Sequence, residues 1–196
     1  MTPLTTTALR PAKRPTVARA PRPMTLEKFL HWKPEDGYKY ELVNSQIEKT
    51  KCSLTAEQTY LVRNLTRRFM QTQAFAEGSE MVSEMDSTLG PSHVRRPDVA
   101  LISAQQIKAS AFGEPFLPTF AVEIISKNDN INKVREKLEA YFKSGVQVVW
   151  HIFPSLQKVD VYTSPKRVTV LEGDEICSAA PALTDFDISV NGIFKI

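Results

Sequence analysis

The feature that most constrains this chain is a pair of short apolar runs that each carry one carboxylate. The first reads Arg95-Arg96-Pro97-Asp98-Val99-Ala100-Leu101-Ile102, and the second Phe120-Ala121-Val122-Glu123-Ile124-Ile125-Ser126-Lys127. Runs of β-branched residues of this length read as strands buried on both faces. An acid is rarely buried unless a cation pairs with it or it holds a metal. Two such acids on consecutive strands can converge on one cation, and the rest of the chain reads as support for them.

The 196 residues suffice for one domain with a full core. No run approaches the ~20 apolar residues needed to span a bilayer, so no membrane partner is expected. The net charge of +3 is unevenly spread. Residues 1–22 hold five basic residues and no acid, while the remainder holds 20 basic and 22 acidic residues. Any basic footprint on the folded part must therefore be local. The Thr-, Pro- and Ala-rich tail 1–22 has no apolar periodicity and no secretory core; it is expected to be a disordered, solvated arm able to touch nucleic-acid backbone. The folded domain is expected over 23–196. Cys52 and Cys177 match no metal spacing and are expected to be unpaired thiols in a reducing cytoplasm.

Along the chain, Thr25 predicts the cap of a short helix, with Met24 stapled onto Phe29. Tyr38–Val43 and Gln46–Lys49, joined by Asn44-Ser45, predict a β-hairpin, although Gly would suit the second turn position better than Ser45. A helix is predicted from Thr55 to about Gln73, with Thr55 and Gln58 as a capping box and Leu61, Val62, Leu65, Phe69 and Thr72 on one face. Arg63, Arg67 and Arg68 lie off that face and form either a solvated surface or a phosphate-contacting ridge. Ser79–Thr88 predicts one strand and Leu89–Ser92 a turn. After the acidic strands, with a short helix at 104–109 between them, a helix is predicted from Asn132 to Lys143. Its Lys133, Lys137 and Tyr141 share a stripe beside the apolar ridge of Val134, Leu138 and Phe142. Gly145 ends it, and Val146–Phe153 and a meander follow. The C-terminus is predicted to close the domain as a short strand or loop.

Strand, loop, strand, helix and strand with acids on the first two strands suit phosphodiester hydrolysis. Two carboxylates and a backbone carbonyl can hold Mg²⁺, which also keeps waters and polarises a phosphate. A nearby lysine would steady the developing oxyanion.

The ordered motifs Tyr40-Glu41-Leu42-Val43-Asn44, Arg96-Pro97-Asp98-Val99, Val122-Glu123-Ile124-Ile125-Ser126, Lys137-Leu138-Glu139-Ala140-Tyr141 and Gly145-Val146 through Val149-Trp150 resemble the Uma2 family (DUF820). That is a bacterial family of restriction endonucleases in the PD-(D/E)XK superfamily, and the likeness covers roughly residues 24–190. It implies an α/β fold with a mixed, restriction-endonuclease-like sheet flanked by helices, and an N-terminal β-hairpin. It implies a metal-dependent endonuclease using Mg²⁺ or Mn²⁺ on DNA. Asp98, Glu123 and the backbone carbonyl of Ile124 would hold the metal, with Glu41 as a further acid. The superfamily's usual lysine position is Ile125 here; the family pattern moves that lysine to Lys137, with Lys127 as the alternative. A homodimer would supply one site per strand. Ser45 replaces the hairpin glycine, and Gln58 stands where a histidine often follows a glutamate. The missing lysine at Ile125 and the Gln58 departure support a second reading, a nuclease-fold protein that binds nucleic acid or a partner without turnover.

For the remaining residues the bland readings are set beside the functional ones. His31, His93 and His151 lack a shared metal spacing and are expected at the surface or in packing. Trp32 and Trp150 are expected in the core. Arg95 and Arg96 either grip phosphate or pair with local carboxylates, and Glu123 could pair with Arg96.

Overall fold

The computed structural model describes residues 23–51 and 58–196. The elements in chain order are α1 Leu26–His31, β1 Tyr38–Val43, β2 Gln46–Lys51, α2 Thr59–Phe69, α3 Gln73–Ala76, β3 Glu80–Ser83, β4 Ser87–Gly90, β5 His93–Arg95, β6 Val99–Ile102, α4 Ala104–Ser110, β7 Phe120–Ile124, α5 Ile131–Ser144, β8 Val148–Phe153, β9 Lys158–Ser164, β10 Arg167–Glu172, β11 Ile176–Ser178, β12 Asp187–Ser189 and α6 Val190–Phe194. Among the described residues no helix is long and apolar enough to cross a membrane.

The main sheet runs β10-β9-β8-β7-β6-β3. It is mixed: β7 and β8 pair in parallel, with α5 as their crossover, and the other neighbours are antiparallel. The N-terminal hairpin does not extend this sheet. It joins β5 and β4 in a separate four-stranded sheet, β2-β1-β5-β4.

Strand alternation sorts side chains onto the two faces of the main sheet. Phe120, Val122 and Ile124 of β7 and Val148, Trp150 and Ile152 of β8 point into the large core. There they meet Leu61, Leu65 and Phe69 of α2 and Phe186, Val190 and Ile193 near the C-terminus. Ala121 and Val149 point to the other face and pack on Leu138 and Tyr141 of α5. Glu123 and His151 share that second parity, so the α5 face carries both the smaller core and the acid. In β1, Tyr40 and Leu42 pack on Phe29 of α1, while Lys39 and Glu41 point the opposite way.

Local signals operate largely as the sequence predicts. The Thr25 hydroxyl accepts from the Lys28 amide at 3.3 Å, and Met24 packs beside Phe29. The hairpin turn has positive φ at both Asn44 (50°) and Ser45 (61°). Serine resists that conformation, and tertiary bonds hold it. The Ser45 amide donates to the Ser92 carbonyl at 3.1 Å, and the Ser45 carbonyl accepts from Met24 at 2.8 Å. Asn130 Oδ1 caps α5, and Gly145, at φ 107°, ends it in the left-handed region.

Several boundaries differ from the sequence expectations. The helix predicted through Gln73 stops at Phe69, and Thr72 caps α3 through the Phe75 amide instead of continuing the apolar face. Thr55 lies outside the described residues. Gln58 is the α2 N-cap position but makes no side-chain capping bond. The strand predicted over Ser79–Thr88 is two strands, broken at Glu84, where φ is 52°. Leu89 and Gly90 belong to β4 rather than to a turn. The C-terminal region forms the β11–β12 ribbon and α6. Trp150 is a core residue as expected, but Trp32 is 36 % exposed at the end of α1. His31 and His93 sit towards the surface, whereas His151 is buried.

Candidate active site

Asp98 immediately precedes β6 rather than lying within it, and Glu123 is the fourth residue of β7. β6 and β7 are antiparallel neighbours, so the two acids meet at the same end of the sheet. One Asp98 oxygen, Oδ2, accepts the Ile124 amide N–H at 2.7 Å, tying the carboxylate to the strand that carries Glu123. The other, Oδ1, takes the Lys39 ammonium at 3.1 Å. Glu41 comes from β1 in the second sheet. Exposures of 5 % for Glu41, 2 % for Asp98 and 7 % for Glu123 place all three carboxylates inside the protein. They line one pocket of about 260 Å³, walled by Glu48 and Thr50 of the hairpin, by Asn130 at the α5 cap and by Lys133 and Lys137 in its N-terminal half.

The polar stripe of α5 supplies the cations. Lys137 Nζ lies 2.8 Å from Glu123 Oε1, 2.9 Å from Glu123 Oε2 and 3.0 Å from Glu41 Oε1. It also donates to the Arg96 carbonyl at 3.4 Å. One turn later the Tyr141 hydroxyl donates to Glu123 Oε1 at 2.6 Å. One turn earlier Lys133 reaches Glu48 at 3.4 Å. Arg95 is buried and pairs with Glu41 at 2.9 Å and with Glu48 at 3.4 Å. The Arg96 amide donates to Glu41 at 2.8 Å. Its guanidinium binds Asp86, not Glu123.

Lys127 does not share this geometry. β7 ends at Ile124, so the alternation that would put Lys127 on the face of Glu123 stops; Lys127 sits exposed in the following turn and is not a wall of the pocket. The arginine ridge of α2 is partly engaged within the chain. Arg68 donates to the carbonyls of Asp185 and Asp187 at 2.7 Å, and Arg63 to that of Lys195 at 3.1 Å. Cys177 is buried, and burial pushes its thiol up to about 12. Cys52 lies outside the described residues.

The site's electrostatics follow from burying three acids among three cations. Burial pushes the Glu41 carboxyl up, but Lys137, Arg95 and Lys39 outweigh it and hold the group at about 2. Glu123 goes the other way: burial raises it, Lys137 opposes, and the nearby Asp98 and Glu41 charges raise it further. Burial would discharge Lys137, but Glu123, Glu41 and Asp98 raise it and keep it an ammonium. Burial, then Glu123, raise the Tyr141 hydroxyl well above its usual value, so it remains a donor. His151 lines the same pocket as a neutral ring, lowered to about 4 by burial and by Lys137.

Sequence reasoning missed Lys39, Tyr141 and His151 as parts of the site. Lys39 had a signal: Lys39 and Glu41 alternate with Tyr40 and Leu42, which marks a polar face on a strand.

A mixed α/β sheet that brings two acids, one just before β6 and one on β7, against a helix-borne lysine is a nuclease-type architecture. The chain belongs to the Uma2 family, described as "putative restriction endonuclease", whose model matches residues 26–191. The fold is shared with a crystal structure from Anabaena variabilis ATCC 29413 described as "a putative nuclease belonging to DUF820". The two are 22 % identical, with a TM-score of 0.73 over 88 % of this chain and 98 % of that one. No curated protein matches the chain.

Proposed function

We propose that the chain is an endonuclease that hydrolyses DNA phosphodiester bonds with the help of Mg²⁺ or Mn²⁺. The observation that carries this reading is the pocket shared by Asp98, Glu123 and Lys137 on the α5 face of the sheet. The donor chemistry fits a hard divalent cation. Among the described residues no three His, Cys, Asp or Glu side chains form a ready-made cluster. The ion would be held by Asp98, Glu123 and the Ile124 carbonyl, with water completing its shell, as suits Mg²⁺. Added positive charge would also relieve Glu123, whose ionised form burial and two neighbouring acids disfavour.

When bound, the cation would neutralise phosphate charge and make a water more acidic. The chain's own groups do the rest. Tyr141 fixes the rotamer of Glu123, and the Ile124 amide fixes that of Asp98. Lys137 supplies a buried positive charge for the oxyanion that develops on phosphorus. Glu41 holds Lys137 and Arg95 in place. A homodimer would present one site to each strand. The test is cleavage of DNA with Mg²⁺ or Mn²⁺ by the wild type, Asp98→Ala and Glu123→Ala. Equal residual cleavage by all three would mean contamination and end the proposal.

A second reading, nucleic-acid binding without turnover, is favoured by one observation: Lys39 already neutralises Asp98 in a buried pair. Calorimetry separates the two, because only the enzyme requires Mn²⁺ binding that depends on Asp98.

A further inference from the structure

β1 divides two cavities. Lys39 and Glu41 line the acid pocket. Tyr38 and Tyr40, on the opposite face of the same strand, line a cavity of about 140 Å³ together with Phe29, Trp32, Lys33 and Arg96. Trp32 and Tyr40 meet edge to face at 4.7 Å. Trp32 is 36 % and Tyr38 41 % exposed, so aromatic faces remain open to solvent. Single aromatic residues at a surface need no explanation, but an open cavity built of several does. Its charged surroundings are mixed. Lys33 is exposed at the rim, Asp86 lines the cavity and pairs with the Arg96 guanidinium at 2.8 Å, and Lys49, 3.8 Å from the Tyr38 ring centroid, pairs with Asp36 at 2.8 Å. The Arg96 backbone bonds Glu41 and Lys137, which line the acid pocket, so one residue links the two cavities.

We propose that this aromatic cavity takes an unpaired nucleobase of the nucleic acid whose phosphate enters the acid pocket. The proposal rests on the nucleic-acid reading of that pocket and names its substrate class as single-stranded or locally unpaired. Stacking on open rings beside a cationic path for the backbone is how proteins hold single strands, and it tolerates any base because every base has a π-face. The exposed ammonium of Lys33 at the rim complements a flanking phosphate. A base paired within a duplex keeps its face covered by its neighbours and cannot make this contact.

The test uses the full chain, a short oligothymidylate and Ca²⁺ in place of Mg²⁺ or Mn²⁺ to hold back cleavage. Trp150 is wholly buried, so quenching by the oligonucleotide reports Trp32. Quenching is expected with the single strand and not with a blunt-ended, fully paired duplex. Trp32→Ala and Tyr38→Ala should each weaken single-strand binding about tenfold, while Trp32→Phe should keep most of the affinity and lose the signal. Unchanged fluorescence, or unchanged affinity in both alanine variants, would overturn the proposal. So would a quench that follows protein concentration rather than oligonucleotide, which would give the cavity to a second copy. If the variants lose binding but no metal supports cleavage, the nuclease reading fails and this one stands. If the wild type cleaves and the Trp32 variants bind and cleave unchanged, this one fails and the nuclease reading stands.

Discussion

Tyr141 and Lys137 hold the same carboxylate from one helix. The tyrosine hydroxyl donates to Glu123 Oε1 at 2.6 Å, and the lysine, one turn earlier, lies within 2.9 Å of both oxygens. The i, i+4 spacing on α5 makes this possible, because residues four apart stack on one helix face. The acid therefore has a fixed rotamer before any ligand arrives.

Removing that hydroxyl should cost both stability and activity. Tyr141→Phe keeps the ring in its core and deletes one hydrogen bond to a buried carboxyl. The expected loss is about 1–3 kcal/mol of unfolding free energy, read by urea denaturation. Cleavage should fall with the apparent metal requirement raised, because Glu123 is less well placed. An unchanged metal dependence would remove Tyr141 from any positioning role.

Lys39 competes with a cation for Asp98. Lys39→Met removes the ammonium at 3.1 Å and leaves a carboxylate that is 2 % exposed. Without metal the variant should be destabilised by about 3 kcal/mol, since breaking a buried pair strands the other charge. Mn²⁺ should then restore more stability to the variant than it adds to the wild type. Equal metal-induced shifts in the two proteins would contradict the competition.

Mn²⁺ should stabilise the wild type by mass action. At about a hundredfold excess over Kd the gain is about 2.7 kcal/mol, or a rise of about 5–10 °C in Tm for a chain of this size. Asp98→Ala and Glu123→Ala should lose that shift in a thermal scan.

Acid should unfold the protein in two overlapping stages. The His151 ring is lowered from 6.5 to about 4, so the unfolded chain binds its proton first. Its contribution is complete above pH 6.5 and is lost as the pH falls towards about 4. Glu41 is lowered from 4.5 to about 2, so its contribution is lost between those values. That second loss is about 3 kcal/mol. Urea unfolding across the pH range should show both, and His151→Leu should flatten only the upper stage. Glu123 acts in the opposite sense: its raised carboxyl favours the protonated form, so its contribution fades as the pH rises.

Much of this was legible in the sequence because its cause is local. The apolar runs of β6, β7 and β8, the Thr25 cap and the helix from Asn132 to Lys143 with its Gly145 end are set by neighbouring residues. The stripe of Lys133, Lys137 and Tyr141 could also be read from spacing alone. What the spacing could not give was the partner of each side chain. Lys39 meets Asp98 across 59 residues of sequence, and no local pattern encodes that. Thr72 has an apolar-face spacing, yet its hydroxyl finds a better use capping α3. The hairpin itself was readable, but its place in a second sheet was not, because its pairing with β5 rests on one registered contact, Leu42 with Val94. Lys127 looked available only while β7 was assumed to run past Ile124.

The most direct test of the account is metal-dependent cleavage of supercoiled plasmid and single-stranded oligonucleotide by four variants purified alongside the wild type. Asp98→Asn, Glu123→Gln and Lys137→Met should each lose at least about a hundredfold in rate, while Lys127→Ala should cleave like the wild type. Cleavage that survives Lys137→Met but not Lys127→Ala, or that persists equally in both acid variants, would contradict the account.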